Sequence, residues 1–205
     1  MAWRHTLQTR PDWPCGSEGD VERDLVERAR RGDHDAFALL AGATIGRLDA
    51  AARLILRDPY RAEDAVQETL VRCWRDLPTL RDPDRFDAWL HRIFLNACRD
   101  ELRVAKRRSI EVELPEIHPL SVPDTQSASA DRDLIERGVR HLDPDQRTVI
   151  VLHYYLGLPL PDAASAMGIP LGTAKSRLHR ATQALRAALD SDARAAQPMA
   201  EGGSR

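Results

Sequence analysis

Apolar residues recur at three- and four-residue steps through most of the first half of the chain, which is the period of amphipathic helices. The spacing predicts a helix at about 21–31, with Val21, Leu25 and Val26 on one side and Gly32-Asp33 as its stop. A second helix, near 36–56, carries Phe37, Leu40, Ile45, Leu48, Ala52 and Ile55, although Gly42 and Gly46 weaken its propensity. Arg57-Asp58-Pro59 breaks the pattern. A third, at about 62–77, presents Val66, Leu70, Cys73, Trp74 and Leu77. Pro78 and the RDPDR run at 81–85 make a polar loop, and a fourth helix at about 86–107 repeats the period with Phe86, Trp89, Leu90, Ile93 and Ala97.

The pattern stops at 109–131. That stretch holds Pro115, Pro119 and Pro123, a serine-rich run, and Glu111, Glu113, Glu116, Asp124 and Asp131 with no Lys or Arg. Such composition reads as an extended, mobile linker. Helical periodicity resumes at Leu134 with Ile135, Val139 and Leu142. Asp143-Pro144 has the form of an N-cap followed by the first helical residue, and Val149, Leu152 and Tyr155 precede a closing Gly157. Residues 160–182, LPDAASAMGIPLGTAKSRLHRAT, then read as a short helix, a turn at 167–170, and a second helix running to about 189. Two helices joined by a Gly-containing turn form a helix-turn-helix, whose second helix enters the DNA major groove. The residues after Asp190 are polar, small or Gly-rich and are expected to be disordered.

Charge sharpens that reading. The chain of 205 residues carries a net charge of −2, so it is no indiscriminate coat for nucleic acid, and any DNA-facing patch must be local. Between Asp162 and Asp190 there is no acidic residue, whereas Lys175, Arg177, Arg180 and Arg186 are cationic. That gap suits a surface approaching phosphates. Content of 42% hydrophobic, 5% aromatic and 30% charged residues points to small helical units. The three cysteines, Cys15, Cys73 and Cys98, have neither disulfide nor metal-ligand spacing. No apolar run approaches the ~20 residues that cross a bilayer. The N-terminus, with Trp3, Pro11, Trp13 and Pro14, lacks a signal core, so a cytoplasmic location without membrane insertion is expected.

Candidate contact residues fall on three faces. With Ala174, Leu178, Ala181 and Leu185 inward, the last helix turns Gly172, Lys175, Ser176, His179 and Arg180 outward. Lys and Arg favour guanine O6/N7, serine donates or accepts, and the free N–H groups around Gly172 and Thr173 suit a phosphate. Arg177 lies toward the flank. In the fourth helix, Arg92, Asn96, Arg99 and Arg103 recur at i, i+4, i+7 and i+11, opposite the apolar face, and Lys106, Arg107 and Arg108 extend the stripe. An asparagine amide there can meet the Watson–Crick edge of an unstacked base while cations follow the strand. Trp89 has core spacing. In the third helix Asp64, Gln67 and Glu68 are exposed together, which is wrong for DNA and right for a basic protein surface.

The order and spacing of AEDAVQETLVRCWRDL at 62–77, FDAWLHRIFLNACRDELR at 86–103 and LDPDQRTVIVLHYYLGLPLPDAASAMGIPLGTAKSRLHRA at 142–181 resemble the extracytoplasmic-function group of bacterial sigma factors. The resemblance covers about residues 20–190. It implies an all-α fold of two small helical domains, a region 2 bundle and a region 4 helix-turn-helix, joined by a flexible acidic linker. The implied division is a tail at 1–19, region 2 at 20–108, the linker at 109–131, region 4 at 132–190 and a C-terminal tail at 191–205. It further implies that Gly172, Thr173, Lys175, Ser176, His179 and Arg180 read a −35 element. Arg92, Asn96, Arg99 and Arg103 would hold the melted −10 element, with the loop at 80–85 shaping a base pocket. Asp64, Gln67 and Glu68 would meet the β′ clamp helices of RNA polymerase. The implied partners are core polymerase, through β′ clamp helices and β flap, and promoter DNA, with an anti-sigma factor as a further candidate. The linker would thread the polymerase's active-site cleft. Two departures stand out: Pro159 and Pro161 at the entry of the first motif helix, and Ala163 and Ala174 where larger aliphatics are common, which predicts a thin core there.

No phosphate-cradling Gly loop, HExxH motif or nucleophile–base spacing emerges, so a non-enzymatic protein without cofactor or metal is expected. The competing expectation is an autonomous helix-turn-helix regulator whose N-terminal block dimerises or senses. The acidic face and the second cationic stripe speak against it.

Overall fold

The computed structural model describes residues 18–111, 138–139 and 141–195. Among them every regular element is helical. The order is α1 (Glu18–Arg30), α2 (His34–Leu56), α3 (Pro59–Asp76), two 3-10 turns (Leu77–Thr79 and Pro83–Arg85), α4 (Phe86–Glu111), α5 (Pro144–Ile150) running into a π-helical turn (Val151–Tyr155), α6 (Leu160–Met167) and α7 (Leu171–Ala195).

The boundaries follow from local chemistry. Gly32 takes φ +93°, and Asp33 then caps α2 by accepting from the N–H groups of Asp35 and Ala36. Arg57 ends α2 in the left-handed region, and Asp58 caps α3 with Pro59 at its first position. Asp143 and Gln146 form a capping box at α5. Gly168 closes α6 at φ +65°, where its N–H satisfies carbonyls of the last turn and no side chain is strained.

Four expectations are corrected. α3 starts at Pro59, three residues before the apolar period suggests, because the Asp58-Pro59 pair is a helix start as well as a break. α4 continues to Glu111, past the expected linker start at 109, since no Gly or Pro intervenes before Pro115. α7 continues to Ala195 rather than ending near 189, because RAALDSDARA is alanine-rich and free of breakers. The π-helical turn at 151–155 has no signal in the spacing. The remainder of the expected linker (112–131), Leu134, Ile135, and the tails with Trp3, Trp13 and Cys15 lie outside the described residues.

α1 to α4 form one bundle: α2 packs on α1, α3 and α4, and α3 lies along α4. α5, α6 and α7 form a second unit in which α7 packs on both α5 and α6. The units are joined. α6 lies against α4, and α2 meets both α5 and the π-helical turn, so one cluster of buried apolar residues runs from Val26 and Phe94 through Val149, Leu152 and Met167 to Ala181. Ala163 and Ala174 are fully buried, which is the thin core the sequence predicts.

Arg147 sits within this junction at 6% exposure. Its guanidinium donates to the carbonyl of Ile55 in the last turn of α2 (2.9 Å) and to that of Leu142 just before α5 (2.9 Å). Burial, with Arg57 nearby, pushes its pKa down to about 10, which still leaves it charged at neutral pH. Arg147→Ala strands both carbonyls and opens a cavity, so unfolding in urea should show a loss of about 2–4 kcal/mol. A loss below about 0.5 kcal/mol, the size of an ordinary surface substitution, would contradict this account of the junction.

Candidate nucleic-acid interface

The outer face of α7 is built by the burial of its inner one. Ala174, Ala181 and Leu185 are buried and Leu178 is partly buried against the core. This turns Gly172, Lys175, Ser176, His179 and Arg180 to solvent, with Thr173 half-buried beside them. The first turn of α7 contains no acidic residue. An added Cβ on Gly172 would meet no atom within 4 Å, so the backbone is open to close approach at the positive end of the helix dipole. Ser176 Oγ donates to the Thr173 carbonyl (3.0 Å), Arg180 Nε reaches the Ser176 carbonyl (3.4 Å), and the Gln183 amide lies 2.9 Å from His179 Nε2. Arg177 leaves this face and pairs with Asp145 of α5 at 2.9 Å, which fixes α7 against its neighbour.

The α4 stripe is less uniform than its spacing suggests. Arg92, Asn96 and Arg103 are exposed, and Arg103 pairs with Asp100 at 3.1 Å. Arg99 is not directed to solvent. Its guanidinium donates to the carbonyl of Ala166 (3.3 Å) and to that of Met167, both in the last turn of α6. Burial lowers its pKa, against the pull of Asp145. The structure therefore groups three of the four stripe residues and assigns the fourth to the junction. Trp89 packs partly buried beside Phe86, as its core spacing predicts.

Asp64, Gln67 and Glu68 are exposed together on α3 and line an open groove of about 430 Å³ between α3 and α4. Val71, Arg72, Asp100 and Glu101 also line it, with Ala65 and Ala97 at its base, and sequence reading missed the first four. Arg72 bridges the helices: it donates to Glu68 (2.6 Å) and to Asp100 (3.1 Å), contacts that raise its pKa, that to Glu68 most. Exposed Val71, at 59%, gives the groove an apolar point. The signal for Asp100 and Glu101 lay in the α4 sequence but faced a partner helix that spacing cannot identify.

Among the described residues no cluster of His, Cys, Asp and Glu is placed to hold a metal ion, and no helix is long and apolar enough to cross a membrane. Cys73 and Cys98 are buried thiols whose pKa values burial pushes up to about 12.

Comparison with known proteins gives a consistent result. Residues 41–108 match the family described as Sigma-70 region 2, and residues 132–185 match Sigma-70, region 4. The chain is 31% identical over 182 residues to the RNA polymerase sigma-H factor of Pseudomonas aeruginosa, covering 83% of this chain and 94% of that protein. It is 38% identical over 135 residues to the ECF RNA polymerase sigma factor SigL of Mycobacterium tuberculosis, covering 64% and 76% respectively. Among solved structures it is similar to CnrH in complex with the cytosolic domain of CnrY (TM-score 0.60, 31% identity, 83% of this chain and 98% of that one). It is also similar to the sigma factor RpoE in complex with the anti-sigma factor NepR from Bartonella quintana (TM-score 0.68, 28% identity, 76% and 98%).

The open surroundings of Gly172 carry a direct consequence for stability. Gly172→Ala should stabilise the fold by about 0.5 kcal/mol in thermal or urea unfolding, because only backbone freedom of the unfolded chain is lost. Destabilisation would show that the first turn of α7 is closed off.

Proposed function

The chain belongs to the extracytoplasmic-function group of the sigma-70 family of RNA polymerase sigma factors, and from that premise we propose how its surfaces divide the work. As a sigma factor it binds core RNA polymerase and promoter DNA and directs transcription initiation. The observation that carries the division is that one chain exposes two separate cationic faces and one acidic face, each on a different helix.

The α7 face reads the −35 element in the major groove. Lys175 and Arg180 supply base-edge donors, Ser176 and His179 adjust the register, and the N–H groups at Gly172 and Thr173 hold a phosphate. Arg92, Asn96 and Arg103 on α4 hold the melted −10 strand, while Arg99 serves the junction with α6. There Asn96 meets an extruded base while the guanidiniums follow the backbone. Asp64, Gln67 and Glu68 dock on a basic surface of the polymerase β′ clamp helices. The groove they share with Val71 and Arg72 supports this, since a protein interface needs an apolar point within a polar rim. Region 4 meets the β flap. The protein acts in the cytoplasm, contributes binding rather than catalysis, and is open to control by an anti-sigma partner of the kind bound to the RpoE relative. An autonomous regulator has no use for the acidic groove, and the relatives do not favour one.

The test is transcription in vitro with core polymerase and a genomic fragment library from the organism that carries the chain. Promoter-dependent transcripts should appear only when the chain is added. Lys175→Ala with Arg180→Ala should lower initiation by tenfold or more, since each base contact contributes about 1–3 kcal/mol. Core affinity should be unchanged in that variant. Asp64→Ala with Glu68→Ala should show the reverse: core binding weakened about tenfold, in line with loss of an interfacial charge cluster. Equal losses in both assays from either pair would contradict the division.

A further inference from the structure

One cation spans the acidic groove between α3 and α4. Arg72 Nε donates to Glu68 Oε1, one turn back on α3, at 2.6 Å. Its Nη1 and Nη2 both donate to Asp100 Oδ2 of α4, each at 3.1 Å. The Arg72 side chain is 28% exposed, against 48% for Glu68 and 44% for Asp100, so the guanidinium is the inner member of the three. Asp64, Glu68, Asp100 and Glu101 line the groove together, and Arg72 is the one cation among its lining residues.

This differs from an ordinary surface ion pair. An isolated i, i+4 pair gains little, because two long side chains must be ordered in water. Here a second carboxylate on another helix holds the guanidinium from its far side, and the planar fork gives a different edge to each partner. Glu68 is confined as a result. One of its oxygens is taken, while Oε2 has no ion-pair partner among the described residues. A glutamate met free by a partner must give up rotamer freedom on binding, and ordering it beforehand removes that cost. Gln67 has no comparable strap, since it reaches only Glu63 of its own helix, at 3.4 Å.

We propose that Arg72 is a positioning residue for polymerase docking: anchored on Asp100, it holds Glu68 ready to receive a cationic side chain of the polymerase at Oε2. This rests on the reading of Asp64, Gln67 and Glu68 as the polymerase-binding face. Arg72 acts through Glu68 rather than by touching the partner. The fork matters as well as the charge. Lysine at this position keeps the charge but is a compact point without a planar fork, so it cannot hold Glu68 and Asp100 from two edges at once.

The experiment titrates the intact chain, fluorescently labelled at its N-terminus, with purified core RNA polymerase and reads anisotropy at one fixed salt concentration. The variants are Glu68→Ala, Asp64→Ala and Arg72→Lys, and Arg72→Lys combined with each of the other two. Helical circular dichroism should be unchanged in all of them. Glu68→Ala and Arg72→Lys should each weaken binding about three- to tenfold, the range expected when one ordered side chain is lost from an interface. Arg72→Lys should add no further loss to Glu68→Ala, because nothing is left to position. With Asp64→Ala the two losses should multiply, since Asp64 lies about two helical turns from Arg72, roughly 12 Å. Unchanged affinity in Arg72→Lys overturns the proposal. So does a loss of the same size with and without Glu68, which is the mark of a strap that only holds α3 to α4. Glu68→Ala binding as tightly as the unsubstituted chain would instead overturn the docking reading itself, and the proposal with it.

Discussion

The last carbonyls of an α-helix have no partner within the helix, and burying them without one is costly. Two short helical units that pack through their ends meet this constraint at every junction. In this chain the solution is arginine. Arg47, Arg99 and Arg147 bring donors to Leu156, to Ala166 and Met167, and to Ile55, and Arg147 also reaches the Leu142 carbonyl just before α5. Apolar contact between α4 and α6 and between α2 and α5 supplies area, but area alone has no direction. The guanidinium contacts set which helix end meets which side chain, and so fix how α4 and α7 sit relative to one another.

The same geometry explains how a near-neutral chain can hold strongly cationic faces. Much of its positive charge is internally engaged: Arg72 with Glu68 and Asp100, Arg177 with Asp145, Arg103 with Asp100. Lys175, Arg180 and the open turn at Gly172 remain outward on α7. A single short recognition helix of this kind has modest affinity for DNA. A sigma factor bound to core polymerase gains the rest from holding two elements at once, which is effective concentration rather than new contact.

The amphipathic period, the Asp58-Pro59 and Asp143-Pro144 starts, and Gly32, Gly157 and Gly168 made the helices of both units legible from sequence. So was the outward set on α7, because Ala174, Ala181 and Leu185 mark its inner face. The placement of Arg99 was not legible. Its i+7 position in the stripe is identical for a solvent-facing and an α6-facing arginine, and only tertiary contact separates them. The walls of the acidic groove failed for the same reason: Asp100 and Glu101 join Asp64 and Glu68 across two helices, and periodicity is blind to that pairing. Helix ends also ran past their expected limits, at Glu111 and Ala195, where propensity continued after the apolar stripe had stopped.

The central claim is that arginine-capped helix ends hold the two helical units together in one arrangement. The direct measurement is the distance between spin labels on Ala38→Cys of α2 and Ala187→Cys of α7, in a Cys15→Ser background, for the chain alone and with Arg147→Ala added. Both alanines are exposed, and Cys73 and Cys98 are buried. A single short, narrow distribution that broadens when Arg147 is removed is the result this account predicts. A broad distribution in the unsubstituted chain, or the same narrow one in both, would contradict it.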